Sequence, residues 1–421
     1  MATPVTTATT VPVGKARWLV PVALLVSVLI GYLDRLNIAL AMPAIGRDFG
    51  WTAEEMGEYG GMLISIFFVG YGLANIFLSP LAARFGPRRS LMLIVVLFSC
   101  FTMLGAPLSY AVLPFAFTRF LLGLGEGVHF PMMSTVTKHW FPAHERSRAN
   151  GIWVSGVMLS TILAPLIVVP LINAFGWRAM LVALGVLGMA VTLPLLWYFV
   201  YDRPADSPRI SDAERDYIAS NIEPDVDEHN WKFLANPVFY LALLAGVLNN
   251  FCAFGIIMWL PTYFTEAKGV PFASLSYAAS LPYAIGFTGL AVSAFLGDWL
   301  QRRALLAGLG FLLAAGLLYM ATLSTMLPAI IAAFAAAVFF QTFYTAQEWA
   351  ILQRILPHRS ISQGAGVYNG TAMLVGGGAG TALIGKAVSV TGNYDTGMFM
   401  IMTVAMAAGV TLLVLSRVIR Y

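Results

Sequence analysis

Charge is what this chain has least of. Asp, Glu, Lys and Arg make up 10% of its 421 residues, where a soluble domain carries about 25%. Hydrophobic residues make up 59%, and the mean hydropathy is +0.79. That balance excludes a soluble globular domain and requires an integral membrane protein with many spans. Cysteine is almost missing: Cys100 and Cys252 each lie inside an apolar run, so neither a disulfide framework nor a cysteine metal site is expected. The five histidines fall in no metal-binding spacing, and no nucleophile–base pair emerges. An enzyme and a resident cofactor are therefore not expected. The net charge of +4 resides in short loops between apolar runs, which excludes a nucleic-acid footprint. No cleavable leader pattern precedes the first run, and residues 1–14 read as a disordered Thr/Val/Pro-rich tail.

What is present is a series of apolar runs, near 18–43, 57–82, 89–108, 110–138, 147–173, 177–201, 236–264, 272–298, 303–323, 325–352, 362–388 and 396–418. Each is long enough to cross a bilayer, and each is read as a helix because backbone in lipid must satisfy its own hydrogen bonds. The expected fold is an all-α membrane protein of twelve transmembrane helices. Eighteen of the twenty-four Lys and Arg residues fall on one side if both termini lie in the cytoplasm, and only Arg47, Arg178, Lys268 and Lys386 fall on the other. A bacterial inner membrane is the expected location. The chain divides into a tail (1–17), a six-helix half (18–201), a cytoplasmic loop (202–235) and a second six-helix half (236–421). In the loop, Ser211-x-x-Glu214 reads as a capping box that opens a short solvated helix.

The halves repeat. An offset of 215 residues lays Gly151-Ile152-Trp153 over Gly366-Val367-Tyr368, Pro142 over Pro357, and Ala83 over Asp298. Duplicated halves place a transporter's site near the midplane between them. The same offset sets Asn249-Asn250 opposite Asp34-Arg35, so the N-terminal half carries charge where the C-terminal half carries neutral amides.

Those charges organise the chain. Tyr32-Leu33-Asp34-Arg35-Leu36-Asn37 lies in the middle of the first span, and the fourth span carries Arg119 and Glu126. Seven residues apart, Arg119 and Glu126 share one helix face about 10 Å apart along the axis. Inserting these four charges singly would cost on the order of 10–14 kcal/mol, so a polar cavity lined by all four is favoured over a purely structural ion network. Arg35 is the candidate clamp for a substrate carboxylate, since a guanidinium matches that group in two parallel hydrogen bonds. Glu126 is the candidate proton carrier, because burial and a neighbouring arginine act on its proton affinity in opposite directions; a Glu126 permanently paired with Arg35 is the structural alternative. Asp34 is a second proton site or the partner of Arg119. His129, three residues on, is read as packing more readily than as a proton shuttle. Tyr32 and Tyr71 offer hydroxyl donors. From the other half, Asn249, Asn250, Asn369, Trp259, Tyr263, Tyr344 and Gln347 are polar or amphipathic residues across the gap, and all but Asn249 are taken as candidate substrate contacts, Asn250 and Asn369 first. Arg84, Arg88 and Asp298 are candidate gate residues, and Glu348 reads as a gate or loop ion pair near Arg354 and Arg359. The glycines at 123, 125, 127, 376, 377, 378 and 380 are read as close-packing positions.

The combination resembles a known family. Twelve spans, the long central loop and the basic loop after the second span resemble the major facilitator superfamily. The first-span motif, Arg119 with Glu126-Gly127, Trp140-Phe141-Pro142 with Glu145-Arg146, Trp259-Leu260-Pro261-Thr262-Tyr263, and Asp202-Arg203-Pro204 resemble its anion:cation symporter family, which includes galactonate, hexuronate and glucarate carriers. The resemblance implies uptake of a small organic anion with protons, by alternating access. It places the substrate carboxylate on Arg35, proton coupling on Asp34 and Glu126, modulation of the acids on Arg119, and polar contacts on Tyr32, Tyr71 and Asn369. Two departures stand out: Ala83 replaces an acid, and Gly156 replaces a glutamine, which suggests a less hydroxylated cargo. A monomer would suffice, since one chain holds both halves. The rivals are an exporter on the same fold, which the paired arginines disfavour, and a membrane ligand sensor, which would bind without proton flux.

Overall fold

The computed structural model describes residues 14–222, 231–356 and 361–419. The described residues form helices and connecting turns. Helix α1 is Leu19–Phe49, α2 covers 53–85, and α3 is Pro87–Leu108. Helix α4 comes in two pieces, Val112–Glu126 and His129–Trp140. Helices α5 (Ala143–Phe175) and α6 (177–199) complete the first half, and α7 (Asp212–Asn221) is the loop helix. The second half holds α8 (Pro237–Ala267), α9 (Leu275–Leu300), α10 (Arg303–Leu323), α11 (Leu327–Ile355), α12 (361–391) and α13 (Tyr394–Val418). Eleven of these are long and apolar enough to cross a membrane, so the chain is a multi-pass membrane protein. The remaining expected span is α4, whose pieces are each too short to cross alone.

The break in α4 has a chemical cause. Pro131 has no N–H to give the carbonyl of Gly127, four residues back. That carbonyl instead accepts from Asn75 Nδ2 at 3.1 Å. Asn75 lies in the π-helical turn Ala74–Leu78 of α2. A side chain thus re-satisfies backbone freed within a membrane helix, as lipid surroundings demand.

Turns at the helix ends follow local chemistry. Helix α1 runs on through Pro43, past its expected end, and stops at Gly50, whose φ of 68° is open to glycine. Helix α2 opens on a complete capping box, Thr52 with Glu55. At α7, Ser211 accepts from Glu214 N, but the Glu214 carboxylate turns away to Arg17. The box is therefore half made. Arg17 also donates to both oxygens of Glu145 at 3.1 and 2.8 Å, and its guanidinium stacks on Tyr217. The tail expected at 1–17 is thus tied into the fold at its last residues; 1–13 lie outside those described.

Within the first half α1 packs on α5, α2 on α4, and α3 on α4 and α6; within the second, α11 packs on α9 and α10, and α13 on α8 and α10. The halves meet through α1 with α8, α5 with α9, and α2 with α12. At the end away from the termini this seam is tight. A Cβ on Gly57 would lie 2.4 Å from Ser389 N, and one on Gly385 would lie 2.5 Å from Gly57 O. At mid-depth Phe68 packs on Phe254 and Gly72 faces Leu374. Beyond that point, toward the termini, Ile76 is 53% exposed, and a Cβ on Gly370 or Gly366 would meet open space. The halves are therefore closed at the far end and parted at the end that bears the termini.

Candidate functional site

Four side chains expected to share a cavity converge in the first half. Asp34, Arg35, Arg119 and Glu126 are each at most 3% exposed. Backbone contact between α2 and α4 sets their frame. A Cβ on Gly123 would lie 2.0 Å from Phe67 O, one on Gly70 would lie 2.3 Å from Phe120 O, and one on Gly127 would lie 2.4 Å from Tyr71 O. Only glycine permits this approach, and it brings Phe67 and Tyr71 of α2 against the arginines.

Arg35 donates to Glu126 through Nε at 3.1 Å and through Nη2 at 2.9 Å, and both bonds end on the same oxygen, Oε2. The fork is thus half used. Arg35 Nη1 and Glu126 Oε1 are buried without a partner, a state that calls for water or a ligand. Rings of Tyr32, Tyr71 and Phe67 lie 4.3, 4.7 and 5.2 Å from the guanidinium carbon. Asp34 takes a different set of partners: Thr102 Oγ1 donates to it at 2.6 Å and Asn37 Nδ2 at 3.1 Å. Arg119 is not bonded to Asp34. It lies over Phe67 at 5.5 Å, and its Nε is buried and unpartnered. One acid is therefore ion-paired, the other is held by neutral donors, and one arginine keeps donors to spare. His129 bonds Ser27 Oγ at 2.8 Å, inside the first half.

The second half presents amides, though not the one expected. Asn250 Nδ2 donates to Gly246 O of its own helix, and its Cβ faces Gly376 of α12. Its neighbour Asn249 is the polar contact: Gln341 Nε2 of α11 donates to Asn249 Oδ1 at 2.7 Å. The 215-residue offset carries Asp34 onto Asn249 and also Glu126 onto Gln341, so the repeat contained the signal for Gln341.

Other candidates lie elsewhere. Trp259 donates to Thr381 O and packs beside Gly61 and Gly385 in the far-end seam. Tyr263 donates to Asp395 at 2.8 Å, linking α8 to α13 at that same end. Gln347 donates to Ser293 O and accepts from Arg303 Nη1, tying α9 and α10 to α11. Tyr344 is buried, with its hydroxyl on that of Tyr368. Asn369 is half-buried with no partner among the described residues. Glu348 accepts from Tyr368 in place of the expected ion pair; Arg359 and the side chain of Asp298 lie outside the described residues. Arg84 is exposed. Arg88 is held within its own half, over Tyr201 at 4.1 Å and on Trp197 O. Asp202 Oδ1 accepts from Arg88 N at 2.8 Å beside Gly86, whose φ is +88°. Asp202 thus supplies an acid at the start of α3, near the turn where Ala83 stands.

The family model described as Major Facilitator Superfamily matches residues 24–381. The hexuronate transporter of Bacillus subtilis is 26% identical over 406 residues, covering 93% of this chain and 91% of that one. The D-galactonate transporter of Escherichia coli O6:H1 is 26% identical, covering 85% and 86%. A solved bacterial homologue of the human lysosomal transporter Spinster, inward-facing and occupied, superposes with a TM-score of 0.81 at 18% identity over 97% and 98% of the two chains; that likeness concerns the fold. By fold and by sequence this chain belongs to the major facilitator superfamily, as a transporter and not an enzyme, with relatives consistent with the anion:cation symporter branch.

Proposed function

We propose that the chain is a proton-coupled symporter that imports a small organic carboxylate by alternating access. The observation that carries this reading is the half-used fork of Arg35. Its two bonds converge on Glu126 Oε2 while Nη1 and Glu126 Oε1 stay buried and unpaired. A substrate carboxylate competes with Glu126 for the fork, because two parallel bonds outdo two that share one oxygen. Displaced from the cation it is bonded to, Glu126 takes a proton rather than remain a bare buried charge. Substrate and proton therefore bind together. Asp34, held by Thr102 and Asn37, is the second acid of the cycle, and Arg119 modulates both acids by its charge. In the other half the bonded pair Asn249 and Gln341 occupies the positions that the 215-residue repeat sets opposite Asp34 and Glu126. The names of the hexuronate and D-galactonate relatives support an organic anion as cargo. Both termini lie in the cytoplasm, in keeping with the distribution of Lys and Arg, in a bacterial inner membrane, and the monomer is the working unit.

The test separates binding from coupling. Proteoliposomes holding the purified protein are loaded with D-galactonate or D-glucuronate and assayed for exchange of the labelled acid. Arg35→Ala abolishes exchange. Glu126→Gln keeps exchange and loses accumulation driven by a pH gradient. Full accumulation by Glu126→Gln removes the coupling role, and full exchange by Arg35→Ala removes the clamp.

A further inference from the structure

The mechanism above leaves one acid unused. Glu348 is half-buried on α11, seven residues beyond Gln341, and so about 10 Å nearer the termini-bearing end. Tyr368 of α12 donates to Glu348 Oε1 at 2.7 Å, and the Tyr368 and Tyr344 hydroxyls are 2.7 Å apart. With Tyr368 donating to the carboxylate, Tyr344 donates to Tyr368, so both hydroxyl hydrogens point toward Glu348. The chain is held rigidly. The Tyr368 ring belongs to a separate apolar cluster with Phe233, Phe239, Leu352 and Leu356. Gly246 of α8 makes room for its hydroxyl, which would stand 2.3 Å from a Cβ there.

No cation balances this acid among the described residues. On α11 the near neighbours Tyr344 and Gln347 carry no charge, and Arg354 follows six residues on. Arg303 of α10 is bonded to Gln347. From α8 come Gly246, Asn249 and Asn250, and from α12 come Tyr368 and Asn369, all without charge. Only one of its oxygens, Oε1, has a protein partner, and its side chain stays partly exposed on the side of the parted end. Closing that end brings α2 against α12 along the face where Ile76, Gly370 and Gly366 now meet open space. Water is then removed from a carboxylate that has no ion-paired cation among the described residues, which is far more costly than placing a proton on it.

We propose that Glu348 is a further proton-binding site, apart from Glu126 and Asp34, and that closure of the termini-bearing end requires a proton on it. Glu348 lies on the open side of the mid-depth contact between Gly72 and Leu374, so the proton is taken from and returned to the same compartment. It sets when the carrier closes and adds nothing to the proton count, which separates it from Glu126. This rests on alternating access in the reading above and not on its proton coupling.

The test needs no substrate. The full-length protein, with Cys100→Ser and Cys252→Ser, receives spin labels at Phe85→Cys and at Gln353→Cys, both exposed at the termini-bearing end, and is placed in nanodiscs. The distance between labels is followed from pH 5 to 8.5 by pulsed electron resonance. The parent converts from the long to the short distance as pH falls, and Glu348→Gln shows the short distance throughout. Tyr368→Phe removes a donor to a charged group and displaces the midpoint by about one pH unit. A Glu348→Gln protein that titrates as its parent does overturns the proposal, and so does a parent whose distance ignores pH. Neither result depends on whether substrate uptake is coupled to protons.

Discussion

Closure of the far end depends on Gly385, and a single methyl group there is predicted to hold that end open. A Cβ on residue 385 would stand 2.5 Å from Gly57 O, 2.8 Å from Gly61 Cα and 3.0 Å from Trp259 Cζ2. Two of these are backbone atoms of α2, which cannot swing aside as a flexible side chain can. Restoring ordinary contact at about 3.5 Å requires α2 and α12 to part by roughly 1 Å. Overpacking of this kind costs about 1–3 kcal/mol. At a factor of ten per ~1.4 kcal/mol, Gly385→Ala shifts the far-end equilibrium toward the open form by about 5- to 150-fold. With α2 and α12 separated there, both backbone contacts from α2 are gone and only the ring edge of Trp259, at 3.0 Å, remains, so the larger penalty falls on the closed state. Spin labels at Glu58→Cys and Lys386→Cys, in a background lacking Cys100 and Cys252, read the result directly: the longer-distance population grows. Gly316→Ala is the control, because a Cβ there has nothing within 4 Å. An unchanged distance distribution in Gly385→Ala would refute the view that this seam seals the far end by backbone contact.

Two further predictions follow from buried polar contacts. Asn75→Leu strips the Gly127 carbonyl of its donor at the break in α4; the loss of about 1–3 kcal/mol lowers the thermal midpoint of the purified protein by a few degrees, and an unaltered midpoint counts against the repair role. Arg17→Met leaves Glu214, 1% exposed, without its cation, a loss of about 3–5 kcal/mol for a broken buried pair; α7 loosens, and proteolysis between 212 and 235 speeds up at least tenfold, whereas an unchanged cleavage rate contradicts the docking.

The gross fold was legible because lipid leaves few options. Apolar run lengths located the spans within a few residues, save that α1 runs six residues past its expected end, and the glycines of α4 and α12 were legible as packing positions. The break at Gly127 was also written in the chain, as Pro131, but its repair depends on Asn75 from another helix, which no local pattern displays. The π-helical turns of α2, α6, α8 and α12 left no mark in the apolar pattern. At the site, charge stood out against its surroundings, so Asp34, Arg35, Arg119 and Glu126 were conspicuous while their pairing was not. Thr102, the strongest partner of Asp34, looks like any span threonine. The amides show the limit of position without orientation. Asn249 and Asn250 differ by about 100° around α8, and that rotation sends one to Gln341 and the other back to its own helix. Trp259 and Tyr263 were drawn to the site by their polar tips, but the far-end seam and Asp395 use those tips instead.

The central claim is that an organic anion enters with protons through Arg35 and Glu126. It is tested most directly by proton movement into proteoliposomes that hold the purified protein and a pH-sensitive dye. Sugar acids, aromatic acids and short dicarboxylates are added in turn, beside Arg35→Ala and Glu126→Gln. The account predicts that at least one acid acidifies the lumen and that both variants abolish the signal. Silence with every acid, together with proton signals for cationic or neutral compounds, would contradict it and leave Arg35 a structural residue.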